Sequence, residues 1–493
     1  MASVQTLSVS ARGQSGTDTL EATLDAPRLD WSAQKAGGDT VIVSATLAGS
    51  NRRAAVQLAL SGVQGSAEAL QIGSLALTLD ATAGESKVKG KLRSPVAVNL
   101  GAHTVGLAQL EGNIEVSHPA MPMKQLALPV TGSLQANWAQ PSAKMILATQ
   151  FDQSKVQTTV SVSRFSPLAL AFDLDVDQLN VDRYLPPKAV PASDVVTAKE
   201  AAASKNPVLD FSALKGPEVS GALRVGALQV AGLKLSKLAA KIQLSGGRLD
   251  VAPLTMNLYE GSTSGSVMLS ATGNAVALRQ NLVGVRINPL MQDLLAKDIL
   301  DGRGNVALDV NSRGDTVGAM KKALAGSASL SLKDGAIKGI NLAQSQRDIK
   351  SKLGQPNTTQ QAKAGEQTDF SELSASLKIA GGVARNDDLA MKSPFIRLAG
   401  AGDIDISQGQ MNYLAKATLV GSAEGQGGKA ADQLTGVTVP VRVTGPFERL
   451  TYQLEWASLV SDATKARLEE KKQEIKTQVE EKAKDLFKGL LGR

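Results

Sequence analysis

The chain has no cysteine at all. That excludes disulfide staples, thiolate-ligated zinc and thiol nucleophiles together. Aromatic residues are also scarce, at 3% of 493 residues, although hydrophobic residues reach 43%. A core built this way relies on Leu, Val and Ala for volume, where compact domains lean on large rings. Histidine occurs only at His103 and His118, with no Asp or Glu at ligand spacing, so a structural role is the expectation for both. No uncharged apolar run approaches the about 18 residues that a membrane-spanning helix needs. The first residues, MASVQTLSVSARGQ, lack a secretory signal pattern and open directly into strand-like alternation. The expectation at this end is a chain that begins in the middle of its architecture. Charge is unremarkable: the net value of +7 is spread along the chain, with no paired platform of aromatics and arginines of the kind that grips nucleic acid.

What the chain does have is alternation. Apolar and polar residues take turns in short runs such as 41–47, 55–60, 75–79, 87–92, 96–100, 107–116 and 132–138, and onward to about 182. Glycine, Asn and Ser separate the runs, and the rhythm is that of an antiparallel meander with one greasy and one wet face. Residues 186–207 break the rhythm with four prolines and no apolar period, the composition of a surface excursion. Alternation resumes at 219–225. Helical spacing is predicted at 289–297, 316–324 and 343–352, with strands at 304–310, 327–332 and 335–339 between them. Segments 354–368 and 421–433 are polar and read as loops.

Part of the chain repeats itself. Residues 237–270 recur without a gap at 372–405, aligning Gly246-Gly247 with Gly381-Gly382, Leu254 with Leu389, Met256 with Met391 and Gly265 with Gly400. Each copy reads as an apolar run, a double-glycine turn and two further runs. One supersecondary unit used twice points to an array of strands, which builds surfaces and grooves more readily than active sites.

A search for chemistry finds none. G-x-S-x-G, the phosphate-binding G-x-x-x-x-G-K-[ST] and G-x-G-x-x-G are all absent; Gly400-Ala401-Gly402 starts the last but lacks its third glycine. Asp173-Leu174-Asp175-Val176-Asp177 resembles the first half of a calcium loop. It has Gln178 where the loop needs Gly and Tyr184 where it needs Glu. The apolar residues between the acids make it a strand with an acidic face, and Asp403 with Asp405 reads the same way. No enzyme, metal or cofactor is expected.

The chain ends in a charged segment, 458–491, with an apolar stripe at helical spacing through Leu468, Ile475, Val479, Leu486 and Leu490. Two readings stand: a helix docked on the sheet or on a partner protein, and a membrane-surface helix. Glu nearly balances Lys on its polar faces, which favours the first. It is expected at the C-terminal mouth of a groove, as a lid or a handle for a membrane or a partner protein, which the resemblance described next makes a periplasmic or outer-membrane one.

Three stretches then carry a family resemblance. They are LMQDLLAKDILDGRGNVALDVNSRGDTVGAMKKALAGSASLSLKDGAIKGINLA at 290–343, TDFSELSASLKIAGGVARNDDLAMKSPFIRLAGAGDIDIS at 368–407 and VTVPVRVTGPFERLTYQLEW at 437–456. Residues 207–456 resemble the C-terminal conserved region of the AsmA family, and 4–185 its variable β-rich middle. The family's membrane-spanning helix and chorein-like start have no counterpart here. The resemblance, shared with TamB-like and bridge-like lipid transfer proteins, implies a long, strongly curved antiparallel β-sheet folded like a taco around an apolar concave face. It also implies a periplasmic protein held at the inner membrane through an N-terminal anchor missing from this chain. Phospholipid acyl chains are the implied ligand and outer-membrane homeostasis the implied role, with an assembly factor for outer-membrane proteins as the alternative.

The expected organisation is therefore a β-groove segment at 1–185, a linker at 186–207, the conserved β-groove at 208–456 and a helix at 457–493. Strict alternation with Lys241, Gln243, Asp250, Asp309, Ser331 and Lys378 predicts a groove lining. The lining comprises Ile242, Leu244, Leu249, Val251, Val306, Leu308, Val310, Leu330, Leu332, Leu377 and Ile379.

Overall fold

The computed structural model describes residues 2–32, 35–66, 68–119, 121, 123–184, 206–339, 341, 359–361, 365–394, 396–420, 438–447 and 449–454. Among them the chain is mostly β, largely antiparallel, with two short α-helices. It divides into two compact units, Met1–Leu278 and Arg279–Arg493.

The first unit is a meander of long strands. In order they are β1 (Ala2–Ser15), β2 (Asp18–Trp31), β3 (Ala36–Gly38), β4 (Val41–Ala48), β5 (Arg52–Gly65), β6 (Ala69–Ala83), β7 (Ser86–Asn99) and β8 (Thr104–Ser117). There follow β9 (Gln125–Asn137), β10 (Ser142–Phe151), β11 (Ser154–Phe165), β12 (Leu168–Asn180), β13 (Glu218–Val230), β14 (Leu233–Ser245), β15 (Arg248–Leu258) and β16 (Gly261–Ser270). β17 (Ala275–Arg286) carries the chain out of the unit. Strands of 14 or 15 residues such as β5, β6 and β7 far exceed the ordinary 5–6. The runs 87–92 and 96–100, predicted as two strands, are one strand, with a register shift against β8 between Arg93 and Val96 where β8 carries the extra residue. Such a shift moves one residue out of the ladder and lets the strand continue on the same face.

β3 and β4 both pair with β2 and with β5, and the paired strands described in this unit are antiparallel with one exception: β12 and β13 are parallel, Leu170 facing Val219 and Val176 facing Val225. A uniformly antiparallel sheet was the expectation. Parallel neighbours require a long crossover, and the chain between Asn180 and Glu218, which contains the proline-rich stretch, supplies it. Residues 185–205 lie outside the described set.

In the second unit α1 (Ile287–Leu295) precedes β18 (Arg303–Arg313), α2 (Val317–Ala323) and β19 (Ala325–Lys338). Then come β20 (Thr359–Gln361), β21 (Gln367–Ala380), β22 (Val383–Lys392), β23 (Ile396–Asp405), β24 (Gln410–Leu419), β25 (Thr438–Pro446) and β26 (Thr451–Leu454). Both helices fall where helical spacing placed them, and Thr316 caps α2 by accepting from the amide of Ala319 at 3.1 Å. The runs 327–332 and 335–339 are one strand. The stretch 354–368, read as loop, supplies β20 and the start of β21; β20 pairs with β26, so β26 does not end the ladder. The helix at 343–352, the loop at 421–433 and the terminal segment 458–491 with its stripe lie outside the described residues.

The repeat is visible in three dimensions as a repeated irregularity. In the first copy the β15–β16 register shifts between Val251 and Leu254; in the second the β22–β23 register shifts between Asn386 and Leu389, the aligned positions. Each copy turns through its glycine pair with both φ angles positive, 57° and 77° at Gly246-Gly247 and 58° and 78° at Gly381-Gly382. That tight reversal is open to glycine because it lacks a Cβ.

Candidate functional site

Residues directly opposite one another in a ladder project to the same side, so the register converts one strand's alternation into a property of the whole sheet. In the first unit one row runs through Val63, Ile72, Val96, Leu107, Leu134, Met145, Val160, Phe172, Gly221, Ile242, Val251 and Val267. A second runs through Leu70, Val98, Val105, Ala136, Ala143, Val162, Leu170, Val219, Leu244, Leu249 and Leu269. Neither contains a polar side chain. A third, from Val9 through Leu24, Val43, Leu58, Leu77, Leu92, Gly112 and Val130 to Val156, Val176, Val225 and Leu238, admits only Thr149. The hydroxyl of Thr149 is buried there without a hydrogen bond. Ile242, Leu244, Leu249 and Val251 all belong to these rows.

The other side of the same strands is wet and charged. Ion pairs cross between neighbours, Lys89 to Asp80 at 3.6 Å and Arg93 to Glu111 at 2.7 Å among them. Arg224 reaches across the parallel pair to both Asp173 and Asp175, whose alternate spacing places them on this face. Its hydrogen bond holds the Asp175 carboxyl below the usual carboxylate range. Asp177 accepts from the amides of Lys155 and Gln178 at 2.7 and 2.6 Å. The acidic run is therefore the charged face of a strand paired on both sides, and among the described residues no group of three or more potential ligands gathers for a metal. His103 sits in the turn before β8, its ring centroid 5.8 Å from that of Trp138.

The apolar face of the first unit is covered only in part. Its rows are mostly half-buried, with Val96, Val130 and Leu244 buried singly, and its buried cluster is small: Val176, Val225, Leu238 and Ala240. A concavity of about 740 Å³ is lined by Leu70, Val98, Val105, Ala136, Ala143 and Val162 together with polar neighbours such as Gln71 and Gln135. Nearby, Phe172 lies over Gly221, where a Cβ would fall 2.5 Å from the ring. Glycine there gives the ring a flat bed.

The second unit handles the same alternation differently. Val306 faces Leu330, Leu308 faces Ala328 and then Leu377, and Val310 faces Gly326 and then Ile379, so all seven residues expected here share one side. Leu332, the seventh, faces Leu373, which leads on to Met391, Leu398, Ala417 and Val439. These residues are packed into one cluster with Phe370, Ile396, Val441 and Tyr452. Leu332, Met391, Ile396, Ala417 and Val439 are each only 1% exposed. Ile379 is buried as well; Val306, Leu308, Val310, Leu330 and Leu377 are half-buried. Helix α1 joins from above through Ile287, Leu290 and Met291, while its Leu294 and Leu295 stay exposed.

Inside this cluster lies a polar pair that pattern reading missed. Tyr413 donates to Oδ1 of Asn386, and Nδ2 of Asn386 donates to the Ser376 carbonyl and to Asp388, both at 2.7 Å. The ring of Tyr413 rests over Gly400 and Gly402, either of which would clash with it if it carried a Cβ. Burial pushes the Tyr413 phenol up to about 12, with the Asp388 and Asp387 charges adding to the effect. Asn386 sits where the first copy of the repeat has Val251. That substitution of polar for apolar was the one available signal.

Fold and faces define a largely antiparallel β protein with one apolar and one charged side and no constellation for catalysis among the described residues. The chain belongs to the AsmA family, whose profile matches residues 7–389. The match takes in the variable N-terminal half, the first copy of the repeat and part of the second, and stops within the stretch 368–407, before 437–456. Members are associated with the cell envelope and are generally non-enzymatic transport or assembly proteins. No curated protein matches the chain significantly. No helix among the described residues is long and apolar enough to cross a membrane.

Proposed function

We propose that this protein binds phospholipid acyl chains on its apolar sheet face and conducts them between the inner and outer membranes from a periplasmic position. The observation that carries this reading is the pair of unbroken apolar rows across the first unit, left half-buried by the protein itself. An uncovered apolar surface of this extent is rare on a soluble protein and calls for an occupant. Removing apolar area from water contributes about 25 cal/mol per Å². Acyl chains would thus be held without any site-specific bond and could slide along the rows. Family membership supports a lipid-related envelope role.

The test is purification without detergent followed by mass spectrometry of the bound fraction. Phospholipid recovered with the folded protein is the expected result. A folded, lipid-free protein that does not take up phospholipid from vesicles would refute the reading.

A second reading, a factor that assists outer-membrane protein insertion, is favoured by β1. This strand pairs only with β2 among the described residues, contains no proline, and exposes Val4, Leu7 and Val9. Such an edge is a template for strand addition.

A further inference from the structure

The two units treat their apolar faces in opposite ways. In the first, the face residues are half-buried and line a concavity of about 740 Å³. In the second, the face from β21 to β26 is a dry cluster, with Met391, Ile396, Ala417 and Val439 each 1% exposed. Its middle also holds Tyr413 and Asn386, 6% and 2% exposed, bonded to one another. An acyl chain threading this face would have to part a close-packed core and pass a phenol and a carboxamide. Parting them would leave buried polar groups without partners. In the first unit the buried cluster is limited to Val176, Val225, Leu238 and Ala240, none of which belongs to the two unbroken rows.

From this contrast we infer that the ligand-bearing surface lies on the half-buried rows, those of the first unit among them, and that the β21–β26 cluster is a sealed core holding the Tyr413–Asn386 pair and taking no lipid. The inference rests on the lipid-binding reading above and narrows it. A uniform alternating pattern would make every strand equally part of a groove; here burial divides one pattern into an occupied stretch and a closed one.

The absence of cysteine makes the division measurable in the full-length protein. Ala136→Cys and Ala143→Cys place single thiols in the concavity. Ala415→Cys and Ala417→Cys place them in the dry cluster, and all four are small changes that the packing tolerates. Each variant is reacted with N-ethylmaleimide, alone and after incubation with phosphatidylethanolamine–phosphatidylglycerol vesicles. The first pair should label readily and be protected by lipid. The second pair should label on the order of a hundredfold more slowly, limited by local opening, and be indifferent to lipid. Rapid labelling at 415 or 417 that lipid suppresses would overturn the inference while leaving the lipid reading intact. Rapid labelling there that lipid leaves unchanged would overturn it too, because the core would not be sealed. Lipid protection at none of the four sites, with 415 and 417 still slow, would refute lipid binding and leave the sealed core standing.

Discussion

The phenol of Tyr413 donates its hydrogen to the carboxamide oxygen of Asn386, and both side chains are buried in an apolar cluster on strands β24 and β22. The carboxamide's two amino hydrogens are spent on the Ser376 carbonyl and Asp388, so every polar group of Asn386 is satisfied. A polar pair in such a place contributes to stability only while it stays complete. Tyr413→Phe removes one partner and leaves the Asn386 oxygen orphaned. The expected loss is about 1–3 kcal/mol, read as a lowered urea midpoint. Tyr413→Phe combined with Asn386→Val should cost less than the two changes added, because both groups then leave together.

The same phenol makes an alkaline prediction. Its pKa is raised to about 12 by burial, against 10 in an unfolded chain. The folded protein therefore keeps its proton over a range in which the unfolded chain loses it. The corresponding stability is complete below pH 10 and is lost as pH rises from there through about 12. Tyr184 and Tyr452 are raised as well, so in ultraviolet tyrosinate absorbance the Tyr413 component near pH 12 should be identified by its loss in Tyr413→Phe. Four tyrosines titrating together near pH 10 would contradict the burial.

At the acid end the relevant group is Asp388. The Ser376 hydroxyl and amide, at 2.6 and 2.8 Å, hold its carboxyl below the usual range, with Asn386 adding a smaller contribution. A depressed carboxylate stabilises above its unfolded pKa, and that stability is lost as pH falls through the lower folded value. Asp388→Asn should flatten the acid limb of the stability profile below the ordinary carboxylate value of 3.8 while leaving neutral pH less affected.

Phe172 and Gly221 supply a packing prediction. A methyl at 221 would meet the ring at 2.5 Å, so Gly221→Ala should destabilise the β12–β13 junction by about 1–3 kcal/mol. Phe172→Ala should relieve the ring's share of that penalty in the double variant, leaving the part due to the Phe172 backbone oxygen, which lies 2.6 Å from the same position. Equal penalties with and without the ring would show that the backbone, and not the Phe172 ring, demands glycine.

Lipid loading should follow the face and not the strand. Leu77 and Met145 lie in the apolar rows, whereas Lys91 projects to the wet side of β7. Leu77→Glu or Met145→Glu should reduce co-purified phospholipid severalfold, because a carboxylate resists desolvation against acyl chains. Lys91→Glu should leave loading near the wild-type value. Equal loading in all three would count against conduction along these rows.

Much of this was legible in the residues themselves. A side chain's face is set by the two-residue period of its own strand, which is local information. Ile242, Leu244, Leu249 and Val251 could therefore be assigned to one side of the sheet from alternation with Lys241, Gln243 and Asp250. The spacing of Leu290, Leu294 and Leu295 marked α1 for the same reason, as did the glycine pairs for the turns. The repeat announced the shared β-unit before any coordinate was known.

Three things depended on partners far away in sequence. The parallel pairing of β12 with β13 depends on where the crossover returns, which no local period encodes. The shifts at Val251/Leu254 and Asn386/Leu389 show only against the neighbouring strand, where a residue drops out of the ladder. Most consequential is the difference between Leu77 and Leu398, which occupy equivalent alternating positions. One is half-buried and the other lies within a close-packed cluster. Alternation determines which side is apolar. How much of that side the protein covers itself is decided by tertiary packing, because burial is a property of everything that approaches a residue and not of its own strand.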